Sequence, residues 1–302
     1  MTAMTKKDQE IVKDYSKRDY RTVWQKPRAA FEDRLEGKII NKILPKDPGL
    51  FIDLGAGYGR LYPLYDMPGR TVFMVDYETQ YLKLASEVYK AKKNIFYIAA
   101  NAYHLPFRNE VFDAGISIRT FHHMNKPERF LEENSRVMKA GSRMLLEYSN
   151  KRNFWKLIRN PKKNFRKNHE EYNDLQFGTH PAFLKEMAAQ KGFSVEDTMG
   201  TAFFPKFLNL KTSFLLPVLT PLEYVFDTLV GRTLAPMNFA ILKKTGKKIL
   251  PVSETTGIVN LLACPACKNK VEAVKDGMKC VSCGRFYPKV GDIFDFRYEA
   301  AS

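Results

Sequence analysis

No cysteine occurs before residue 264 of this 302-residue chain; all four, Cys264, Cys267, Cys280 and Cys283, crowd into its end. Thiol chemistry is thereby confined to one short unit. A clean apolar run is also missing. The most hydrophobic window, 203 to 234, is interrupted by Lys206, Lys211, Glu223 and Asp227 and broken by three prolines, whereas a bilayer-spanning helix needs roughly 20 mostly apolar residues. No transmembrane span is expected. The opening stretch MTAMTKKDQEIVKDYSKRDY is charged throughout and lacks the apolar core of a signal peptide, so export is not expected and a cytoplasmic location is. Negative charge is scarce in one place above all: residues 151 to 169, KRNFWKLIRNPKKNFRKNH, contain no acid. No internal repeat is present.

What is present suits a folded protein. Hydrophobic residues make up 44% and charged residues 27%, ordinary values for a globular chain, and the length allows a full core. The net charge of +16 favours encounter with phosphate-rich partners such as RNA or an anionic membrane surface.

Helical spacing of apolar residues through RAAFEDRLEGKIINKIL predicts a helical cap over 1–44, ended by Pro45 and Pro48. From there short apolar runs alternate with amphipathic ones. Strands are predicted at 50–54, 71–75, 95–98, 114–118 and 143–148, with helices between them such as ETQYLKLASEVYKA and KPERFLEENSRVMKA. This alternation predicts an α/β fold, a parallel sheet with helices on both faces. A helix at 180–191, a strand at 193–198 and a last strand at 237–244 complete the sheet. The main domain is expected over 45–245, with a basic insertion at 151–179 and an apolar one at 201–235. A polar linker (246–257) and a cysteine-bearing unit (258–302) follow.

The first strand runs into DLGAGYGR, with glycines at 55, 57 and 59. Glycines after a strand permit a sharp turn and close approach of a ligand, and the following helix start offers amides to a negative group. The third glycine of a dinucleotide fingerprint would fall at position 60, where Arg60 stands, so the spacing is wrong for NAD. Asp76 ends the second strand and can accept bonds from ribose hydroxyls, while Asn101 and Ala102 follow the third, where an adenine would lie. Together these describe an adenosine pocket at the carboxyl ends of the strands.

These motifs resemble class I S-adenosylmethionine-dependent methyltransferases of the type-11 group, which includes quinone-biosynthesis enzymes. DLGAGYGR resembles the glycine motif, VDYE the ribose-binding acid, NAYHLPF the adenine-side loop, and FDAGISIRTFHHMNKPERFLEENSRVMKAGSRMLLEY the fourth and fifth strands with the helix between. Asn101 stands where the family usually has Asp, and Gly141–Ser142 where it has Gly-Gly. The resemblance implies a Rossmann-like seven-stranded sheet and S-adenosylmethionine contacts at Asp53, Gly55, Ala56, Gly57, Gly59, Asp76, Tyr77, Asn101, Ala102, Ile118 and Arg119.

Because the cofactor's methyl is already activated, the protein has mainly to align a nucleophile and exclude water. No obligatory catalytic triad exists to search for. Candidate catalytic residues are Arg119, directly after strand four with Thr120, His122 of the His122–His123 pair, and Tyr20. The histidine pair is read chiefly as a helix start. Tyr20, Arg21 and Trp24 lie in a segment that in related enzymes often folds over the cofactor. For the acceptor, the cations of 151–169 with Phe154, Trp155 and Phe165 suit RNA, and the apolar insertion suits a small greasy acceptor such as a quinone or lipid precursor.

The cysteines form two CxxC pairs, Cys264/Cys267 and Cys280/Cys283, the pattern of a closed structural zinc site in which metal replaces a missing core. LLACPAC, CVSCGRFYP and GDIFDF resemble the small zinc-ribbon activator of tRNA, ribosomal-RNA and release-factor methyltransferases. That family pairs edge to edge with a methyltransferase sheet, so the resemblance implies an activator supplied in cis. The leading expectation is a methyltransferase with a fused zinc ribbon acting on tRNA or rRNA. The alternatives are a small apolar acceptor and a non-catalytic RNA-binding or scaffold protein.

Overall fold

The computed structural model describes residues 10, 13, 21–24, 27–173, 175–201, 221, 225, 231–246 and 257–298. Tyr20, most of the apolar insertion and most of the linker lie outside the described residues. Among the described residues, two helices, α1 (Arg21–Trp24) and α2 (Pro27–Ile43), precede the sheet. Then come β1 (Gly49–Leu54), α3 (Tyr62–Tyr65), β2 (Arg70–Asp76), α4 (Thr79–Val88), β3 (Ile95–Ala99), β4 (Phe112–Ser117), α5 (Pro127–Val137) and β5 (Met138–Ser149). The basic insertion holds α6 (Phe154–Arg159), α7 (Pro161–Asn164), β6 (His169–Asn173) and β7 (Gln176–Thr179); α8 (Pro181–Gln190), β8 (Phe193–Thr201), α9 (Gly231–Leu234) and β9 (Met237–Lys244) follow. Four strands close the chain: β10 (Val271–Val274), β11 (Gly277–Cys280), β12 (Phe286–Val290) and β13 (Ile293–Asp295).

The main sheet runs β10-β11-β12-β13-β3-β2-β1-β4-β5-β9-β8. Strands β1 to β5 pair in parallel, and β9 is antiparallel to both β5 and β8. The order reverses between β1 and β4. Such a switch point opens a crevice at the carboxyl ends of the strands. The seven strands expected from sequence are all there, but the sheet has eleven strands rather than seven. The difference arises because β13 pairs in parallel with β3, Ile293 opposite Tyr97 and Asp295 opposite Ala99. An edge strand exposes unpaired amides and carbonyls, and the C-terminal unit supplies their partners.

Side chains alternate across the sheet with a period of two. Phe51, Val72, Met74 and Leu145 face one core with Ile39, Tyr62 and Phe239. Ile52, Phe73, Val75, Met144 and Leu146 face the other, with Phe112, Phe130 and Leu184. The second core continues without a break into Leu262, Val271, Met278, Tyr287 and Phe296 of the C-terminal unit. The union is reinforced by Arg108 N–H donating to the Leu261 carbonyl (3.0 Å), Ala263 to Pro106 (3.0 Å) and Phe296 to Ala99 (2.7 Å). Lys268 also reaches across to Glu133 of α5. Phe296 is fully buried and its ring lies 4.8 Å from that of Tyr287. Phe296→Ala should cost about 3–5 kcal/mol in urea denaturation; a loss below about 1 kcal/mol would show that the ring is no part of a shared core.

Two local expectations change. The helix expected through residue 140 stops at Val137, because Met138 already pairs with Phe112 and opens β5 early. The basic insertion also folds a hairpin, β6 against β7, that apolar alternation did not announce.

Candidate functional site

At the switch point lies an open cleft with about 1090 Å³ of empty space, lined by the ends of β1, β2, β3 and β4. Asp53, Gly55, Ala56, Gly57, Asp76, Tyr77, Asn101, Ala102, Ile118 and Arg119 all line it. Gly59 does not. Its φ is +76°, and a side chain there would strike Tyr89 at 2.8 Å, so this glycine serves the packing of the turn. Gly55 (φ +82°) is closed in by Thr120, which any side chain there would strike. Gly57 (φ +55°), in contrast, faces open space, the bare backbone against which a ligand can lie.

Asp76 is anchored by backbone. Gly57 N–H donates to one carboxylate oxygen (2.8 Å) and Glu78 N–H to the other (2.9 Å). Burial pushes its carboxyl up to about 6 despite those amides. Burial also pushes Asp53 up to about 7, opposed by the Tyr65 hydroxyl that donates to it and helped by the charge of Asp76. Asn101 Oδ1 accepts from Tyr103 N–H (3.0 Å), fixing the loop after β3.

Trp24 is expected from sequence in a segment that folds over the cofactor; the ion pairs that hold this roof in place are not. Arg60 and Arg119, both at the cleft, bracket the Trp24 ring with their guanidinium carbons 3.8 and 4.9 Å from its centre. Helix α2 matches their charge: Arg60 pairs with Asp33 and Glu36, and Arg119 with Glu36 (3.0 Å) and Glu32 (3.3 Å). Glu36 is only 1% exposed, so the network has a buried carboxylate at its centre and ties α1 and α2 over the cleft. Arg119 has φ +57°, uncommon for a residue with a side chain, and its amide donates to the fully buried Glu147 on β5. Burial pushes Glu147 up to about 7, with the Arg119 charge opposing, and its second oxygen has no hydrogen-bond partner among the described residues.

Of the histidine pair, His123 lines the cleft and His122 does not. They form a short 3-10 turn, Phe121–His123, ahead of α5. Burial holds His122 well below the usual imidazole range, aided by His123; His123 Nδ1 lies 2.9 Å from the Leu175 carbonyl. Tyr20 lies outside the described residues. The cleft can therefore orient and enclose a nucleoside cofactor, and among the described residues no side chain stands out as a base.

The sulfurs of Cys264, Cys267, Cys280 and Cys283 all lie within 4.8 Å of one another. Cys264 and Cys283 are 3.6 Å apart and Cys267 and Cys280 3.5 Å, far beyond a disulfide bond of ~2.05 Å and near the spacing of thiolates around one tetrahedral ion. The two knuckles match: Lys268 N–H closes on the Cys264 carbonyl (2.8 Å) and Gly284 N–H on that of Cys280 (3.1 Å), each from a left-handed residue. Cys264 Sγ also meets the Tyr287 hydroxyl at 3.0 Å. The donor set fits a closed four-thiolate metal site.

Comparison with known proteins agrees with this geometry. Residues 52–146 match the family model described as a methyltransferase domain. The chain is 25% identical over 179 residues to an uncharacterized protein of Methanocaldococcus jannaschii, covering 59% of this chain and 69% of that one. It is 30% identical over 114 residues to a demethylmenaquinone methyltransferase of Paenarthrobacter aurescens, covering 38% and 41%. Among solved structures it is similar to a complex of the Haloferax volcanii Trm112 methyltransferase activator with a methyltransferase (18% identity, 77% of this chain and 100% of that one, TM-score 0.52). It is also similar to an S-adenosylmethionine-dependent methyltransferase from Mesorhizobium loti (12%, 71% and 100%, TM-score 0.50). A glycine loop, an anchored carboxylate and a switch-point cleft thus sit inside a matched methyltransferase domain, and the chain carries an S-adenosylmethionine-dependent methyltransferase domain over residues 52–146.

Proposed function

We propose that the chain methylates RNA, a tRNA or rRNA, and carries a structural zinc ribbon that acts as an activator in cis. The observation that carries the RNA reading is the gathering of cations just after β5, at the cleft edge of the sheet, with Phe154, Phe165 and Tyr172 exposed among them. Lysine and arginine grip phosphates, and exposed rings stack unpaired bases. The same reading takes 258–302 as the ribbon, with zinc on the four cysteines, and a cytoplasmic setting. Among the described residues no helix is long and apolar enough to cross a membrane.

When bound, S-adenosylmethionine supplies a methyl group on a sulfonium, ready for attack. In this proposal Asp76 accepts from the ribose hydroxyls, Asn101 and Ala102 border the adenine, and Gly57 lets the ligand lie against backbone. Trp24, Arg60 and Arg119 cover the cleft and keep water out. The roof's charges are paired within the roof, which leaves Asp53 and Asp76 to favour a positively charged cofactor.

A second reading is methylation of a small apolar acceptor. It is favoured by similarity to demethylmenaquinone methyltransferases, of whose length the chain spans less than half, and by the apolar insertion. Incubation with methyl-labelled cofactor and host RNA, protein and lipid fractions separates the two. Label in RNA is expected; label in lipid alone would replace the first reading with the second.

A further inference from the structure

A second cavity, with about 510 Å³ of empty space, is lined by Lys151, Lys156, Arg159, Lys163, Glu170 and Tyr172 over Gly178. Four cations thus face one carboxylate. Glu170 is shared, pairing with Lys151 and, at 3.1 Å, with Lys163. Lys151 is only 3% exposed and is further held by Asn168. The Lys156 ammonium lies 4.0 Å from the centre of the Tyr172 ring, and that ring remains 44% exposed.

The cavity is built rather than incidental. Asn153 caps α6 through Lys156 N–H (3.0 Å), and the Asn164 amide donates to the carbonyls of Lys156 (2.9 Å) and Asn160 (2.8 Å), locking α6 to α7. Gly178 forms the floor, where a side chain would stand 3.4 Å from Lys151 and 3.6 Å from the Lys156 ammonium. It is also a neighbour of the cofactor cleft. The Tyr172 hydroxyl lies 3.3 Å from Ser149 Oγ, and Ser149 is two residues, about 7 Å along a strand, beyond Glu147, which holds the Arg119 amide at the cleft.

We infer that this cavity grips a backbone phosphate of an RNA acceptor while an adjoining nucleotide enters the cofactor cleft. The inference rests on the RNA reading above. A group of cations that runs from buried Lys151 through half-buried Lys156 to exposed Arg159 and Lys163 suits a phosphodiester on a flexible strand, and Tyr172 offers a base one open face. A bilayer presents its headgroups as a broad surface, which meets projecting lysines more readily than one buried to 3% exposure.

The test is fluorescence anisotropy of labelled poly(U) with the full-length, zinc-loaded protein at several salt concentrations. Lys156→Ala/Arg159→Ala should weaken binding about tenfold and flatten the salt dependence, by about 0.7 in log–log slope for each phosphate no longer neutralised. Glu170→Gln should tighten binding, since it removes the one carboxylate that lines the cavity among the described residues. All variants should keep wild-type affinity for S-adenosylhomocysteine, which checks the fold. If the wild type binds poly(U) and the double variant binds it equally with the same slope, the pocket assignment falls while the RNA reading stands. If the wild type binds no poly(U), both fall. Loss of binding to phosphatidylglycerol vesicles with unchanged RNA binding would likewise overturn the assignment in favour of a membrane.

Discussion

Asp76→Ala should abolish measurable cofactor binding or weaken it at least about 100-fold, while the protein stays folded. Two bonds to a charged acceptor disappear, each worth about 1.5–3 kcal/mol, and the anchors on Gly57 and Glu78 that shape the loop go with them. The core is spared, because Asp76 stands at the end of β2 and lines the cleft. The pH dependence has a definite sign. Burial raises the Asp76 carboxyl to about 6, so it is ionised, and able to accept two hydroxyl donors, only above that value. Affinity for S-adenosylhomocysteine in the wild type should be highest above about pH 8, begin to fall near pH 7 as Asp53 takes up a proton, and fall further below about 6 as Asp76 does. Titration calorimetry across this range checks both. An Asp76→Ala variant that binds normally would remove the ribose contact from the account.

Cys280→Ser should be the most damaging single change to stability. The residue is 1% exposed at the centre of the sulfur cluster, on β11. A unit this small lacks core enough to fold alone, and in the zinc-ribbon proposal a metal on the four cysteines would contribute folding energy. The effect should spread. Leu262, Met278, Tyr287 and Phe296 belong to the same core as Phe73, Phe112 and Leu146, and the edge of β3 is paired by β13. Loss of the ribbon would bare apolar surface and an unpaired edge on the methyltransferase domain. Elemental analysis should find about one zinc per chain in the wild type and much less in the variant, with a lowered unfolding temperature and aggregation. Full solubility and an unchanged melting curve in a metal-free chain would refute the zinc ribbon.

Much of the fold was legible because it is written in short-range pattern. LFIDL, TVFMV and IFYI are the buried runs of central parallel strands, and each lies inside an observed strand. The glycine loop and Asp76 were legible for a similar reason, since strand ends and turns mark the crevice. What escaped depends on partners far away in sequence. Arg60 drew notice only because it is not glycine; that it reaches Asp33 and Glu36 and stacks on Trp24 follows from the packing of α2 over the cleft. The hairpin of β6 and β7 was hidden because HEEYN is polar throughout and mostly exposed, leaving no alternation to read. The extension of the sheet to eleven strands depends on the three residues of β13 finding β3, nearly two hundred positions earlier. Resemblance to an activator that pairs edge to edge hinted at this union, but residue spacing alone did not.

The central claim is that the cleft between β1 and β4 is a nucleoside site for S-adenosylmethionine. Calorimetric titration of the full-length, zinc-loaded chain with S-adenosylhomocysteine at pH 7.5 tests it most directly. One site per chain, with heat that disappears in Asp76→Ala, is the expected result. No binding of S-adenosylhomocysteine or S-adenosylmethionine to the folded wild-type protein would contradict it.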